Sequence, residues 1–225
     1  MNIFKFTLSF SFLKHAFLSF RERKSPMRII HNFFLIDVNI KGLTLDLGAG
    51  KNQSYFSFLK KEDVSLTNVD LYNHSEIKID LEKNLSLGSN KYDTIILFNT
   101  LEHIYNYKNL ISEINRILKV KGKLEIFVPF LIGYHKDPND VFRPTHNYLL
   151  KILKENGLEG ETKLIGVGPF IVAYQMLHRY FKFAFIKLFF LIIVLCFDKI
   201  ISIFSKDYST YYCGTHISAS KIWTE

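Results

Sequence analysis

The chain has 225 residues, of which 48% are hydrophobic and 16% aromatic, and its formal net charge is +8. This composition is too apolar for a disordered protein, and the chain is long enough to bury a core, so we expect one large domain or one domain with an appendage. The two cysteines do not make a disulfide framework or a zinc site, and no dense run of Lys and Arg indicates a nucleic-acid partner.

The first 34 residues form an apolar and basic extension. Residues 1–20 are rich in Phe, but Lys14 and His15 break the apolar run, and no small-residue cleavage site follows. We therefore expect this extension to seek a surface or cover the core rather than to act as a cleaved signal. Residues 35–225 are expected to form the main domain.

Apolar runs and helical patterns alternate along the main domain. Strands are predicted over residues 43–47, 65–70, 92–98, 123–129, 163–167 and 211–221. Helices are predicted over 55–61, 106–119 and 148–156, with Lys121-Gly122 ending the second and Thr145 capping the third. This alternation indicates an α/β fold whose parallel sheet is covered by helices on both faces.

The strongest motif lies where the first strand ends, at Thr44-Leu-Asp-Leu-Gly-Ala-Gly50. Glycines at such a point let the backbone approach a ligand, and the strand-end acid Asp46 can hold a cationic or hydroxyl-bearing group. Roughly twenty residues later Asp70 ends the next strand, which is the spacing at which an acid reaches a ribose diol. The alternative is a tight turn that needs glycine for its geometry alone, with an acid that caps a helix.

Residues 41–130 resemble the class I S-adenosylmethionine-dependent methyltransferases. The family's acid-x-Gly-x-Gly motif is matched by Asp46, Gly48 and Gly50, whereas Asn52 stands where a further glycine is usual. The resemblance implies a Rossmann-like fold with an antiparallel last strand, and S-adenosylmethionine as the cofactor. It places the ribose-binding acid on Asp70 and the acid that contacts the adenine amine on Asp80. The implied cofactor-binding residues are Asp46, Gly48, Ala49, Gly50, Asp70, Leu71, Asp80, Leu81, Asn99 and Leu101.

The predicted strand over residues 92–98 resembles the family's fourth strand and is followed by Leu101-Glu102-His103, an ending that resembles small-molecule methyltransferases of this type. Methyl transfer to a hydroxyl group requires a base that removes a proton, and His103 is the nearest candidate because imidazole titrates near neutral pH. The alternative is that His103 makes a purely structural hydrogen bond.

The stretch of residues 134–145 resembles a loop of methyltransferase-like proteins from bacterial surface-polysaccharide clusters. His135 is a second candidate catalytic residue, and Asp140 and Arg143 are candidates for binding an acceptor. Alternatively, Asp140 pairs with Arg143 and Thr145 caps the next helix, so that these residues only stabilise the loop. The spacing of His135, Asp137 and Asp140 matches no metal signature, and no metal site is predicted.

Residues 181–204 are almost entirely apolar and interrupt the fold before the last strand. Their length is close to that of a membrane span, but Lys182, Lys187, Asp198 and Lys199 flank and puncture the segment. We expect an apolar insertion that lies in a membrane interface. A buried helix, an oligomer contact and a spanning helix are the alternatives.

These features predict methyl transfer to a small-molecule, sugar or lipid-linked glycan acceptor in polysaccharide biosynthesis. The expected location is the cytoplasm, with peripheral contact to the inner face of the cell membrane. The alternative function is a non-catalytic, methyltransferase-like binding or assembly protein at the membrane. A nucleic-acid substrate is disfavoured, because Asn99-Thr100-Leu101-Glu102 stands where an Asn-Pro-Pro-aromatic motif would be expected.

Overall fold

The computed structural model describes residues 2–5, 7–50, 53–70, 77–134 and 139–222. Within these residues the chain forms six α-helices and seven β-strands. The helices are α1 Phe10–Arg21, α2 Pro26–Leu35, α3 Tyr107–Ile117, α4 His146–Glu155, α5 Pro169–Leu177 and α6 Ala184–Phe204. The strands are β1 Asn39–Leu47, β2 Lys60–Asp70, β3 Ile77–Lys78, β4 Tyr92–Phe98, β5 Leu118–Pro129, β6 Leu158–Val167 and β7 Tyr212–Lys221.

The strands form one sheet in the order β3-β2-β1-β4-β5-β7-β6. β1 pairs in parallel with both β2 and β4, and the parallel pairing continues outward to β3 and β5. The N–H groups of Phe130 and Leu131 bond to carbonyl groups of Cys213 and Tyr212 in reverse order, so β7 runs antiparallel to β5. The mixed, mostly parallel sheet confirms the predicted Rossmann-like class.

The chain changes direction across the sheet between β1 and β4. It runs from β1 outward through β2 to β3, and then returns to β4 on the other side of β1. In open α/β sheets a ligand binds outside the carboxyl ends of the strands at such a switch point. The Asp46 end of β1, which aligns with Asn68 of β2 and Ile96 of β4, lies at this edge.

The predicted helix over residues 55–61 is wrong. Residues 54–58 form turns, and β2 already begins at Lys60, where its N–H bonds to the Val38 carbonyl at 2.9 Å. A helix of seven residues gains too few internal hydrogen bonds to pay for its nucleation. Pairing with β1 from Asn39 onward satisfies the same backbone groups in a ladder, so the strand is favoured.

The predicted role of Lys121-Gly122 as the end of a helix is also wrong. α3 ends at Ile117, and both residues lie inside β5, where the pairing with β4 shifts register. Lys121 has a φ of 63°, and a Cβ on Gly122 would lie 2.8 Å from the Lys119 carbonyl oxygen. Gly122 is therefore needed because the irregular backbone of β5 leaves no room for a side chain at this position. By contrast, Thr145 caps α4 as predicted, because its hydroxyl accepts from the Tyr148 N–H at 3.4 Å.

The chain divides into two compact units. One comprises residues 37–129, 135–162 and 216–225, and the other comprises 1–36, 130–134 and 163–215. The first has a core of aliphatic side chains from its strands and from α3 and α4, among them Leu45, Ile95, Ile114, Ile126 and Leu153. It also carries the switch point of the sheet.

The second unit holds α1, α2, α5 and α6, including most of the predicted N-terminal extension. Both Asp198 carboxylate oxygens of α6 accept from backbone N–H groups that open α5, Phe170 at 2.9 Å and Ile171 at 2.7 Å. The Tyr174 hydroxyl of α5 donates to the Lys187 carbonyl at 2.7 Å. α6 is thus built into the packing of this unit along one of its faces.

The opposite face of α6 is solvent-exposed and apolar. We define the apolar stripe as Phe185, Phe189, Phe197, Ile200, Ile203 and Phe204, whose exposed fractions run from 48% to 84%. The buried residues of the same helix are Lys187, Leu191 and Asp198, spaced so that they share the other face. Among the described helices, α6 included, none is long and apolar enough to cross a membrane.

Candidate functional site

The glycine turn after β1 is held against β2 by its backbone. The N–H groups of Gly48 and Ala49 both bond to the Val69 carbonyl, at 2.8 and 3.2 Å. Gly48 has a φ of 80°, and a Cβ there would overlap the Thr100 side chain. Gly50 has a φ of 59°, and a Cβ there would meet nothing closer than the Gly48 carbonyl oxygen at 4.0 Å. Gly48 is therefore required by packing, whereas the space beside Gly50 suits the close approach of a ligand.

Asp46, two residues before this turn, is fully buried. The Tyr55 hydroxyl donates to its Oδ2, while Oδ1 has no hydrogen-bond partner among the described residues. Burial raises the pKa of Asp46 to about 7, and the hydrogen bond from Tyr55 opposes that shift. A buried carboxyl group with an unused acceptor next to a glycine turn fits a ligand that brings a cation or a hydrogen-bond donor.

Asp70 ends β2 at the same edge of the sheet. It lies two residues beyond Asn68, the partner of Asp46, and its carbonyl accepts from the Ile79 N–H at 3.2 Å. The Asp70 side chain is half-buried. The two acids predicted from the sequence are thus brought to neighbouring strand ends. Leu71 and Asn52 lie outside the described residues.

Asp80 and Leu81, the predicted adenine contacts, follow β3. The Asp80 Oδ1 accepts from the Glu82 N–H at 3.0 Å, and Lys83 forms an ion pair with Oδ2 at 3.2 Å. The Glu82 N–H, helped by Lys83, holds the pKa of Asp80 below its usual value. Leu81 is buried in the core. In this structure Asp80 caps a turn, and Leu81 packs into the hydrophobic core.

The residues after β4 adopt a tight turn. Asn99 has a φ of 52°, and its N–H bonds to the Phe127 carbonyl at 2.9 Å. The Thr100 hydroxyl hydrogen-bonds to the carbonyls of Leu47 and Phe98, at 3.3 and 3.2 Å. Leu101 then opens a short 3₁₀ helix, and its side chain is buried in the core.

His103 ends that 3₁₀ helix. Its Nδ1 lies 2.5 Å from the Asn139 carbonyl oxygen, and its Nε2 lies 3.8 Å from a Glu102 carboxylate oxygen. A carbonyl oxygen only accepts, so Nδ1 carries a hydrogen and the neutral ring has its lone pair on Nε2. Val141 N–H also bonds to the Glu102 carbonyl at 2.8 Å, which ties the turn of His103 to the loop before α4.

That loop is stabilised by an ion pair. Both the Nε and Nη2 atoms of Arg143 donate to the Asp140 carboxylate, whose side chain is only 5% exposed. This ion pair and the Thr145 cap are the contacts of the alternative in which these residues only stabilise the loop. His135 and Asp137 lie outside the described residues, and in the part of the chain that the structure describes no group of three His, Cys, Asp or Glu is arranged to hold a metal.

A cavity of about 370 Å³ lies in the same unit beside these elements. Its lining residues are Tyr105, Asn106, Tyr107, Lys108, Val141 and Phe142. Tyr107 stacks on Phe142 with ring centroids 4.3 Å apart, and its hydroxyl lies 2.5 Å from that of Tyr148. We name this the aromatic cavity. The sequence signal for it was the aromatic residues that follow His103 and Asp140, two stretches that periodicity alone does not bring together.

Two further polar groups of this unit were missed in the sequence. Tyr55, assigned to a helix, instead reaches Asp46 and packs edge-on against Phe98 with centroids 5.3 Å apart. Glu125, in the middle of β5, is buried and lies 2.8 Å from His216 Nε2. A lone acid within the apolar run Leu124–Val128 was the only signal for that buried pair.

The sequence was compared with known families. A family model described as a methyltransferase domain matches residues 17–163, which is well over half of the chain. No match was found among curated proteins.

Solved structures of similar fold include three with TM-scores above 0.5. A chain of the complex between the Haloferax volcanii Trm112 methyltransferase activator and a candidate methyltransferase has a TM-score of 0.58 at 12% identity, covering 96% of this chain and 100% of that one. Phosphoethanolamine N-methyltransferase 2 of Haemonchus contortus, in complex with S-adenosyl-L-methionine, has a TM-score of 0.55 at 15% identity, covering 86% and 52%. The YcgJ protein of Bacillus subtilis has a TM-score of 0.54 at 14% identity, covering 86% and 99%. At these identities the likeness concerns the fold.

Proposed function

Because this chain belongs to the methyltransferase domain family, we propose that it transfers the methyl group of S-adenosylmethionine to a small-molecule, sugar or lipid-linked glycan acceptor. The observation that carries the proposal is the pair of acids at neighbouring strand ends, Asp46 and Asp70, on either side of the turn at Gly48 and Gly50. This is the arrangement with which open α/β sheets bind nucleosides.

The cofactor would be held by the carboxyl ends of β1 and β2. Asp70 would accept hydrogen bonds from the ribose hydroxyls, and the unused Oδ1 of Asp46 would face a cationic or donor group. Gly50 leaves room for the ligand, and Asn99 and Ala49 would contribute backbone contacts. The Asp80 Oδ1 already accepts a hydrogen bond from the Glu82 N–H. Asp80 would therefore contact the adenine amine with the remaining acceptor capacity of its carboxylate.

S-adenosylmethionine supplies a methyl group already activated on a sulfonium, so the chain needs to align the acceptor and remove a proton. We assign proton removal to His103, whose Nε2 is its basic nitrogen once Nδ1 donates to the Asn139 carbonyl. His135, within the stretch of residues 134–145, is the second candidate for this role.

The acceptor would bind in the aromatic cavity. Its residues directly follow His103 and Asp140 along the chain, and it combines stacked rings with the amide of Asn106 and the ammonium of Lys108. Rings with polar edges suit a sugar or another small polar molecule. Asp140 and Arg143 would fix the shape of this loop, and one of their polar edges would contact an acceptor hydroxyl or phosphate.

We further propose that the protein works at the inner face of the cell membrane. The apolar stripe of α6 exposes six large hydrophobic side chains on one helix face, and the chain carries a net charge of +8. Such a face enters the acyl boundary of a leaflet, and excess positive charge is attracted to anionic lipids. A membrane-facing methyltransferase would meet lipid-linked glycans of polysaccharide biosynthesis.

The decisive experiment is calorimetric titration with S-adenosylmethionine. We expect the wild type to bind and Asp70→Ala to bind at least about 10- to 100-fold more weakly, because the loss of even one hydrogen bond to a charged group costs about 1.5–3 kcal/mol. Asp37→Ala is the matched control, since Asp37 is 74% exposed and lies before β1. Equal affinity of Asp70→Ala and the wild type would remove Asp70 from the site, and a wild type that does not bind would contradict the proposed function.

A further inference from the structure

A second cavity lies in the unit that holds α1, α2, α5 and α6. Its volume is about 710 Å³, and it opens where the turn after α1 approaches the segment that leads into α6. Its lining includes the cationic side chains of Arg21, Arg23, Arg179, Lys182 and Lys187 and contains no acid. We call it the basic cavity. The proposed methyl transfer makes no use of it.

The positive charge of the basic cavity is not neutralised internally. Among the described residues, no carboxylate lies within 4.0 Å of any of these five cationic groups, whereas nearby Lys24 is paired with Glu22 at 2.8 Å. His178, which also lines the cavity, has its pKa lowered by burial and then by the charges of Lys187 and Arg179. Five uncompensated cations around one opening create a strong local attraction for an anion.

Lys187 points to a ligand most directly. Most of this residue is buried on the inner face of α6, with 9% of it exposed, and its ammonium has no hydrogen-bond or ion-pair partner among the described residues that line the cavity. The only described contact of its Nζ is with the Phe20 ring, 6.0 Å from the centroid. The buried stem of Lys187 fixes where its ammonium reaches the cavity, and an ammonium that no acid neutralises favours an anion there.

The surroundings of the basic cavity indicate what kind of anion. Phe181 and Phe183 contribute to its lining, and Phe183 immediately precedes α6, whose apolar stripe runs from Phe185 to Phe204. Phe183 stacks on Phe185, the first residue of the stripe, with ring centroids 5.6 Å apart, so the cationic opening adjoins the start of the stripe. This arrangement matches an amphiphile with an anionic head and hydrocarbon tails. A free inorganic anion would make no use of the stripe.

We propose that the basic cavity binds the phosphate headgroup of an anionic phospholipid whose acyl chains cover the apolar stripe of α6. Arg179 and Lys182, at the exposed rim, would contact the phosphate from the solvent side, and Lys187 would contact it from inside. This inference rests on the proposed membrane contact and makes it specific. An exposed apolar helix alone would bind a membrane surface without selecting a lipid, whereas this unit would bind an individual lipid headgroup.

The test is partitioning of the full chain onto vesicles of phosphatidylglycerol mixed with phosphatidylcholine, against vesicles of phosphatidylcholine alone. Arg179→Gln/Lys182→Gln removes two exposed cavity charges, and Lys187→Met removes the ammonium on the inner face of α6 while keeping an apolar stem. Lys151→Gln/Lys154→Gln on α4 is the control with the same change of net charge, since both lysines are exposed. Thermal unfolding and far-UV circular dichroism verify that each variant is folded.

We expect the wild type to prefer phosphatidylglycerol, both cavity variants to lose about 10- to 30-fold in partitioning, and the control to change by less than about twofold. A folded Lys187→Met that partitions like the wild type, or a control that loses as much as the cavity variants, would overturn the headgroup site. The latter result would mean diffuse attraction by net charge rather than binding at a defined site.

Inorganic phosphate distinguishes the two possible sources of the anion. If it raises the melting temperature of the wild type but not of Lys187→Met while no vesicle is bound, the cavity takes free phosphate and the lipid proposal fails. A wild type that binds both vesicle types equally, with unchanged cavity variants, would leave the membrane contact standing and overturn only the headgroup site. A wild type that binds no vesicle would contradict the membrane contact itself.

Discussion

At the scale of single residues, Asp46 has the most consequential environment. It is held neutral by burial, with a pKa of about 7 against 3.8 for an exposed aspartate. The unfolded chain therefore loses this proton near pH 4, whereas the folded chain keeps it until about pH 7. The stabilising contribution of the neutral carboxyl is fully present below pH 4 and is lost as the pH rises through 7, by up to about 4 kcal/mol.

Asp46→Asn should remove this pH dependence. We expect the difference in free energy of unfolding between the variant and the wild type to shift by about 2.5 kcal/mol in favour of the variant from pH 5 to pH 8. Urea denaturation at a series of pH values measures it. The buried Asp198, whose pKa is raised to about 6, is present in both proteins and cancels in the difference. Parallel stability curves for the two proteins would show that Asp46 is ionised in the folded state throughout.

His103 is the residue whose proposed role is chemical rather than structural. His103→Ala should lower turnover by about 10²–10⁴-fold if Nε2 accepts the proton of the acceptor, while the affinity for S-adenosylmethionine changes little. Single-turnover kinetics and calorimetry on the same preparation separate the two effects. A variant with normal turnover would restrict His103 to its hydrogen bond with the Asn139 carbonyl.

At the scale of elements, α6 shows how one helix serves two purposes. Its inner face is fixed by Asp198, which caps α5, and by Lys187, whose carbonyl accepts from Tyr174. The side chains of its outer face, the apolar stripe, are about half exposed or more, although Phe197 stacks on Phe170 of α5 with ring centroids 5.2 Å apart. Substitutions on the two faces should therefore affect different properties.

Phe189→Ser/Ile200→Ser tests the outer face. Because each side chain is more than half exposed, we expect the melting temperature to stay nearly constant. Flotation with vesicles should fall at least tenfold, since burying one large apolar side chain contributes about 1.5–3 kcal/mol. Val120→Ser, at an exposed valine of β5, is the control. If the double variant instead changes the oligomeric state at unchanged flotation, the stripe is a contact between copies of the chain.

The elements also show which local predictions the sequence supports. β1, β4 and β5 each end in a mostly apolar stretch because their C-terminal halves are buried, and such stretches can be read directly from the sequence. The segment after the glycine turn could not be read in this way. Its helical spacing is real, but the partners that decide its structure, Asp46 for Tyr55 and Val38 for Lys60, are separated from it along the chain.

At the scale of the whole molecule, the order of motifs along the chain predicted the fold class and the family. Wherever this fold binds a nucleoside, the same residue types are needed at the strand ends near the switch point. The basic cavity could not be predicted. Its cations come from two stretches about 150 residues apart, Arg21–Arg23 and Arg179–Lys187, and only folding brings them together. The insertion at residues 181–204 was recognised as unusual, but its two faces emerge only from the positions of Lys187 and Asp198.

The contact between Gly48 and Thr100 has a mechanical consequence. The space that a Cβ would occupy at Gly48 is filled by the Thr100 side chain, whose hydroxyl also bonds to the Leu47 carbonyl, and Thr100 is three residues from His103. The turn at Gly48, which is expected to hold the methyl donor, and the turn at Thr100, which leads to the expected base, thus contact each other directly. We expect thermal displacements of one to carry the other along, so that donor and base drift in concert and their alignment survives motions that would separate two independent loops.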